Sequence, residues 1–211
     1  MDPTAIKAVI LDYGDVISLP RDPAIVKWMA ELLRLPEERF LHFYGAFRHD
    51  YDRGALEPAQ YWAKIGEAAG AVLSAEQITQ LRKSDVAMWS RLNHSILQWA
   101  DRLREFGYKV AVLSNMHPDM VEHIQSNGVW TRRFHCLTLS SPLRMAKPEA
   151  EIFRHCLKTL GILPRQAMFV DDREPNVKAA EEVGLLGVLA PTPQELRENL
   201  RTIGFKPLPE E

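Results

Sequence analysis

Apolar residues gather in five short runs, at 7–11 (KAVIL), 109–113 (KVAVL), 135–139 (HCLTL), 167–170 (AMFV) and 186–189 (LGVL). Each is too short for a helix and shows little polar alternation, which is the pattern of a strand covered on both faces. Between the later runs the period changes to that of a helix. Ile96, Leu97, Ala100, Leu103 and Phe106 form one stripe ended by Gly107, and Ile152, Phe153, Cys156, Leu157 and Leu160 form another ended by Gly161. Pro175 stands where a first helical residue would be, and Gly184 closes that helix. From residue 94 onward helix and strand alternate, which predicts an α/β fold with a doubly wound, parallel five-stranded sheet.

The stretch between residues 11 and 94 is different. It has helical period and carries Trp28, Phe40, Phe43, Tyr44, Phe47, Tyr51, Tyr61, Trp62 and Trp89, and it lacks a comparable strand run. Pro20, Pro23, Pro36, Gly54, Pro58 and the 70–74 region divide it into about four helices. A helical bundle inserted after the first strand hangs over the carboxyl ends of the strands, where open α/β sheets bind ligands. The expected organisation is a core of residues 1–17 and 94–211 with a helical cap of residues 18–93. The tail 205–211 is expected to fray.

Composition narrows the partners. With 46% hydrophobic residues the chain can bury a core, and 26 Lys and Arg against 28 Asp and Glu leave a net charge of −2. That balance gives no reason to expect nucleic acid or an anionic membrane. No apolar stretch approaches the ~20 residues of a membrane span, and no signal peptide is visible, so a cytoplasmic location is expected. Cys136 and Cys156 lack CxxC spacing and read as buried free thiols.

The residues just after the runs carry the candidate chemistry. They are Asp12-Tyr-Gly-Asp15, Ser114-Asn115, Lys147-Pro148 beyond the loop of the third run, and Asp171-Asp172 with Asn176 downstream. Clustered carboxylates need a cation, and hard oxygen donors without His or Cys suit Mg²⁺. A lysine and a serine hydroxyl can cradle phosphoryl oxygens. A carboxylate not consumed as a ligand can attack phosphorus and form an aspartyl phosphate.

This set resembles the four motifs of the haloacid dehalogenase-like (HAD) hydrolase superfamily, in order, from Ala8 to about Ala190. The runs RMAKPEAEIF (144–153) and FVDD (169–172) are its most specific parts. The position of the insertion is similar to the small helical-cap branch (subfamily IA, variant 3-like). Asp-x-Gly-x-Val, Leu-Ser-Asn and Met-x-Lys-Pro-Glu resemble sugar-phosphate phosphatases of the α-glucose-1-phosphate type. The resemblance implies that Asp12 is the nucleophile and that Ser114 and Lys147 hold the phosphoryl group with Asn115 beside them. It also implies that Asp171 or Asp172 binds Mg²⁺ together with Asp12 and the Gly14 carbonyl. The implied partner is a small phosphorylated substrate; the sequence leaves the assembly open between a monomer and a homodimer, since the cap aromatics could serve a dimer or a cap core.

One departure matters. Most phosphatases of the superfamily carry a second aspartate two residues after the nucleophile, where this chain has Gly14 and then Asp15. Glycine still offers a carbonyl but no proton, and general acid–base catalysis is commonly worth ~10²–10⁴-fold. Asp15 re-aimed by the glycine, a cap residue such as His49 or Asp50, or slow turnover are the readings left open; the branch it resembles also has glycine here. Asn176, in the first turn of its helix, is a candidate for a ligand contact or for support behind the ligands. His117, close to Ser114-Asn115, is a candidate substrate contact, as are Tyr44 and His49 in the aromatic segment 43–50. Competing activities are hydrolytic dehalogenation, which needs no metal, phosphate-ester binding without turnover, and a mutase.

Overall fold

A computed structural model describes residues 5–210 of the protein. Its strands are β1 (Ala8–Leu11), β2 (Lys109–Ser114), β3 (Cys136–Leu139), β4 (Ala167–Asp171) and β5 (Leu186–Leu189). They pair in parallel in the order β3-β2-β1-β4-β5, and each coincides with one of the apolar runs to within a residue. The helices in chain order are α1 (Pro23–Leu32), α2 (Glu37–Ala46), α3 (Arg48–Asp52), α4 (Pro58–Ala68), α5 (Ala75–Trp89), α6 (His94–Glu105), α7 (Pro118–Asn127), α8 (Ser140–Leu143), α9 (Ala150–Leu160), α10 (Glu174–Val183) and α11 (Pro193–Thr202).

Alternate strand residues serve opposite faces of the sheet, which is why the runs lack polar positions. Val9, Leu11, Val110, Val112, Met168 and Val170 pack with α6, α7 and α11. Ala8, Ile10, Ala111, Leu113, Ala167 and Phe169 pack with α9 and α10. The stripe of α9 is buried as its period predicts, and Gly161 ends that helix at φ 65°. The stripe of α6 holds only as far as Leu103. Phe106 lies past the helix end, where the chain turns toward β2, and is 67% exposed. Cys156 is buried, whereas Cys136, on the edge strand β3, is only half-buried; both are free thiols.

The expected frayed tail is instead docked. Phe205 is buried, Trp99 Nε1 donates to the Pro207 carbonyl at 2.8 Å, and Ser95 Oγ donates to the Glu210 carbonyl at 2.9 Å. An aromatic anchor and the indole N–H of α6 hold a segment that composition alone marks as loose; Glu211 lies outside the described residues.

Helices α1–α5 enclose their own hydrophobic cluster, built on Met29, Phe40, Tyr51, Tyr61, Trp62, Ile65 and Leu81. The expected count of about four helices becomes five because a break at Phe47 (φ −112°, ψ 5°) separates α2 from α3. The chain leaves and re-enters the sheet domain through a paired neck. Ser18 bridges Leu92, Leu19 N donates to the Arg91 carbonyl at 2.7 Å, and Asn93 N donates to the Ile17 carbonyl at 2.8 Å. On the far side, α3 and the residues after it dock on the core. Ser140 Oγ donates to the Asp52 carbonyl and Arg53 pairs with Glu149. A Cβ on Gly54, whose φ is +76°, would stand 2.5 Å from the Ser141 carbonyl oxygen.

Candidate active site

The carboxyl ends of β1, β2 and β4 and the loop before α9 meet at one place. β1 and β4 are neighbours, so Asp12 and the Asp171–Asp172 pair emerge side by side. Asp12 Oδ1 accepts from the Tyr13 backbone N–H at 2.7 Å and from Lys147 Nζ at 2.8 Å. The same ammonium reaches Asp171 Oδ2 at 2.6 Å. Lys147 is aimed by its own backbone: its N–H donates to Asn115 Oδ1 at 2.7 Å, and Asn115 Nδ2 returns a bond to its carbonyl at 2.9 Å. Asn115 therefore uses its amide to clamp the lysine loop to the end of β2. Ser114, buried at the same strand end, makes among the described residues only a long 3.4 Å contact through its hydroxyl, to the Asn115 carbonyl.

The two adjacent aspartates are treated differently. Asp171 also accepts from Asn176 Nδ2 at 3.0 and 3.1 Å and from the Arg173 N–H at 2.9 Å, so both its oxygens are engaged by the protein. Asp172 is half-buried, and among the described residues no other side chain donates to it. One oxygen from each of Asp12, Asp171 and Asp172 lies within 4.8 Å of the others. This oxygen-only donor set fits a hard divalent cation.

The electrostatics agree. Burial, opposed by Lys147 and reinforced by Asp171 and Asp172, pushes the Asp12 carboxyl up to about 7. Burial and the neighbouring Asp171 and Asp15 push Asp172 up to about 6. Burial works against the Lys147 ammonium, but Asp12 and Asp171 outweigh it and its pKa rises. Three carboxylates share one ammonium here, so added positive charge is favoured.

After β1 the chain winds a tight turn in which Ser18 N donates to the Tyr13 carbonyl at 2.7 Å. Gly14 is extended (φ −62°, ψ 133°), and Asp15 takes the left-handed region (φ 56°, ψ 0°), which aspartate tolerates better than most residues. Asp15 thereby reaches the pocket wall. Burial raises its pKa, with Arg21 pulling the other way.

These groups floor a pocket of about 430 Å³. Its roof comes from the helical unit, through Tyr44, Gly45, Arg48, Asp52 and Trp89, and from Met116, His117 and Met120 of the core. Of the candidate substrate contacts, Tyr44 and His117 line it. His49 and Asp50 are exposed and do not, because α3 turns Arg48 and Asp52 inward instead. The roof holds a polar cluster that the sequence reading did not single out. Arg48 pairs with Asp52 at 2.7 Å and with Asp85 at 3.1 Å, Tyr44 donates to Asp85 at 2.6 Å, and Trp89 Nε1 donates to Tyr44 at 3.0 Å. A signal existed. Asp85 occupies the buried stripe of α5 between Leu81 and Met88, a place where an unpartnered charge is not tolerated.

Residues 6–184 match the family model described as haloacid dehalogenase-like hydrolase. The chain belongs to that family, and it is an enzyme of the hydrolase class. It is 26% identical to the rat (Rattus norvegicus) bifunctional epoxide hydrolase 2 over 97% of its own length, but spans only 41% of that protein. It is 27% identical to the D-ribitol-5-phosphate phosphatase of Bacteroides thetaiotaomicron, covering 85% of this chain and 89% of that one. Among solved structures it resembles a HAD family enzyme from the same organism in complex with magnesium and inorganic phosphate. The TM-score is 0.69 at 26% identity, covering 86% of this chain and 92% of that one. Among the described residues, no helix is long and apolar enough to cross a membrane.

Proposed function

We propose that the protein is a Mg²⁺-dependent phosphatase that removes phosphate from a small phosphorylated metabolite of the cytoplasm through an aspartyl phosphate on Asp12. The observation that carries this reading is Lys147 bridging Asp12 and Asp171 beside an Asp172 that no other described side chain engages. The arrangement neutralises one face of the nucleophile and leaves room for a cation on the other. The match to a D-ribitol-5-phosphate phosphatase and to a fold that holds magnesium with phosphate supports the substrate class and the metal. When bound, Mg²⁺ supplies charge neutralisation that lets the anionic carboxylate and the anionic phosphate approach each other. Asp12, Asp172 and the Gly14 carbonyl would hold it. Asp171, engaged by Lys147, Asn176 and the Arg173 N–H, acts from behind the ligands.

Asp12 forms the new bond to phosphorus as the bond to the leaving oxygen breaks, and that oxygen leaves with a proton. Ser114 and Lys147 hold the phosphoryl oxygens, and Asn115 keeps Lys147 in place. Water then attacks phosphorus, gives up a proton and frees Asp12. Asp15 stands on the pocket wall with a raised pKa and is suited to carry the proton that Gly14 cannot. The helical unit of residues 18–93 acts as the cap over this chemistry.

The test is Mg²⁺-dependent phosphate release from p-nitrophenyl phosphate. Asp12→Asn should lower it by about 10⁴-fold or more, as expected when a nucleophile is removed. Activity surviving the substitution sinks the nucleophile assignment, phosphate release indifferent to EDTA sinks the Mg²⁺ dependence, and halide release from a 2-haloacid without phosphate release favours dehalogenation instead.

A further inference from the structure

The cations of the pocket are unequally committed. Lys147 is held between Asp12 and Asp171, and Arg48 by Asp52, Asp85 and Tyr44. Arg21, on the pocket wall between the neck and α1, is exposed, and among the described residues its guanidinium forms no hydrogen bond and no ion pair. It acts on Asp15 through space alone. The residues beside it are spent elsewhere. Asp22 caps α1 through the Ala24 N–H at 2.9 Å and faces Arg91 at 3.6 Å, and Arg91 donates to the Pro20 carbonyl at 2.7 Å. The backbone on both sides of Arg21 is thereby fixed, while its charge is left without a counter-ion.

The Trp89 indole, itself part of the pocket wall, links this guanidinium to the reacting centre. Arg21 Cζ lies over the ring, 6.0 Å from its centroid. The Cζ3 edge of the same ring would stand 3.8 Å from a Cβ on Gly14, two residues from Asp12. The ring is held in place by its Nε1 bond to Tyr44 and by Tyr13 Oη, which donates to the Trp89 carbonyl at 2.7 Å. A leaving group laid along the indole therefore runs from the neighbourhood of Asp12 toward Arg21. A guanidinium resting on an aromatic face keeps its fork of N–H donors free, and that fork matches the paired oxygens of a carboxylate or a phosphate. A neutral chain end would leave it to water.

We propose that Arg21 is a specificity-determining residue that binds a second anionic group at the far end of the leaving group, so that the preferred substrates are phosphate monoesters carrying a carboxylate or a further phosphate. This rests on the phosphatase reading and deepens it. Phosphoryl transfer is left to Asp12 and the groups around it; Arg21 decides which ester is held there.

The experiment measures kcat/KM at constant free Mg²⁺ for n-alkyl phosphates, ω-carboxyalkyl phosphates and α,ω-alkanediol bisphosphates of about two to six carbons, with p-nitrophenyl phosphate as reference. At its best chain length the wild-type enzyme should favour a doubly anionic ester over the alkyl ester of equal length by roughly 10-fold or more, as charge-assisted hydrogen bonds provide. The series that shows the preference identifies the anion as carboxylate or phosphate. Arg21→Gln should bring the ratio near one, and Arg21→Lys, which keeps the charge without the fork, should retain part of it. A change at Asp15 that follows from losing the charge moves the esters alike and cancels in the ratio. Arg21 is exposed, so neither variant should shift the thermal melt. No preference at any length, or a ratio unmoved by Arg21→Gln, overturns the proposal. So does a preference that only Arg173→Gln removes, since Arg173 also lines the pocket. A wild-type enzyme that hydrolyses none of the esters, p-nitrophenyl phosphate included, defeats the phosphatase reading itself, whereas hydrolysis of p-nitrophenyl phosphate without the preference defeats only the role of Arg21.

Discussion

Two buried charged clusters face each other across the pocket, and they are settled by different means. At the sheet edge the cation is an ammonium, Lys147, a compact charge that reaches Asp12 and Asp171, while among the described residues no side chain donates to Asp172. In the roof it is a guanidinium, Arg48, whose fork takes both oxygens of Asp52 and still reaches Asp85 and Tyr44. In the roof, hydrogen bonds from Arg48 and Tyr44 engage both oxygens of Asp85 and Oδ2 of Asp52, and Oδ1 of Asp52 is held by the ion pair alone. The sheet edge keeps surplus negative charge, visible in the raised pKa values of Asp12 and Asp172. The roof sets one cation against two carboxylates and the sheet edge one against three, so the larger deficit, with Asp172 beside it, lies where a metal would sit.

Removing each cluster's support should reveal the contrast. Lys147→Met leaves Asp12 and Asp171 buried without their ammonium, and should cost about 3–5 kcal/mol of stability in the metal-free protein. Urea unfolding measures it, and phosphate release should vanish with it. The next effect is that of the metal. Because the Asp12 and Asp172 pKa values are raised, the folded protein binds more protons than the unfolded one between the usual carboxylate range and about 7. The stability these groups contribute is therefore full at low pH and lost as pH rises through about 6 to 7. Mg²⁺ at a hundredfold excess over its dissociation constant should restore about 2.7 kcal/mol above that range and far less near pH 5, seen as a thermal shift at the two pH values. Asp85→Asn is the mildest of the three, at about 1–3 kcal/mol, since Arg48 keeps Asp52 and Tyr44. Hydrolysis of p-nitrophenyl phosphate should scarcely change. If Asp85→Asn destabilised the protein more than Lys147→Met, the distinction between the smaller and the larger deficit would be wrong.

The two clusters also differ in how far the sequence discloses them. Asp12, Ser114 and Asp171 each sit at the end of an apolar strand, and parallel topology forces such ends to one edge, so residues far apart in the chain could be assembled on paper. Which of the two adjacent aspartates is free could not be read there, because it depends on Asn176 and Lys147 reaching Asp171 from other loops. The roof was opaque for a related reason. Tyr44, Arg48 and Asp85 belong to three helices whose relative placement no periodicity gives, and the aromatic segment around them reads equally well as plain core. The orientation of α3 decided between Arg48 with Asp52 and His49 with Asp50, and that orientation follows from the break at Phe47 and the docking of the following residues on Ser140 and Ser141. The tail misled because its anchor, Trp99, lies more than a hundred positions away.

Two glycines of the helical unit leave evolution unequal freedom. Gly54 abuts backbone of the sheet domain, so any larger residue there would pry the two halves apart. Gly45 lies inside α2 on the roof, where an added methyl would meet nothing within 4 Å. Retaining glycine in a helix forgoes about 0.5–1 kcal/mol relative to alanine, and the room so preserved belongs to whatever molecule enters. A single change at this position would thus reduce the room in the pocket and gain helix stability, while the close contact at Gly54 stayed as inherited.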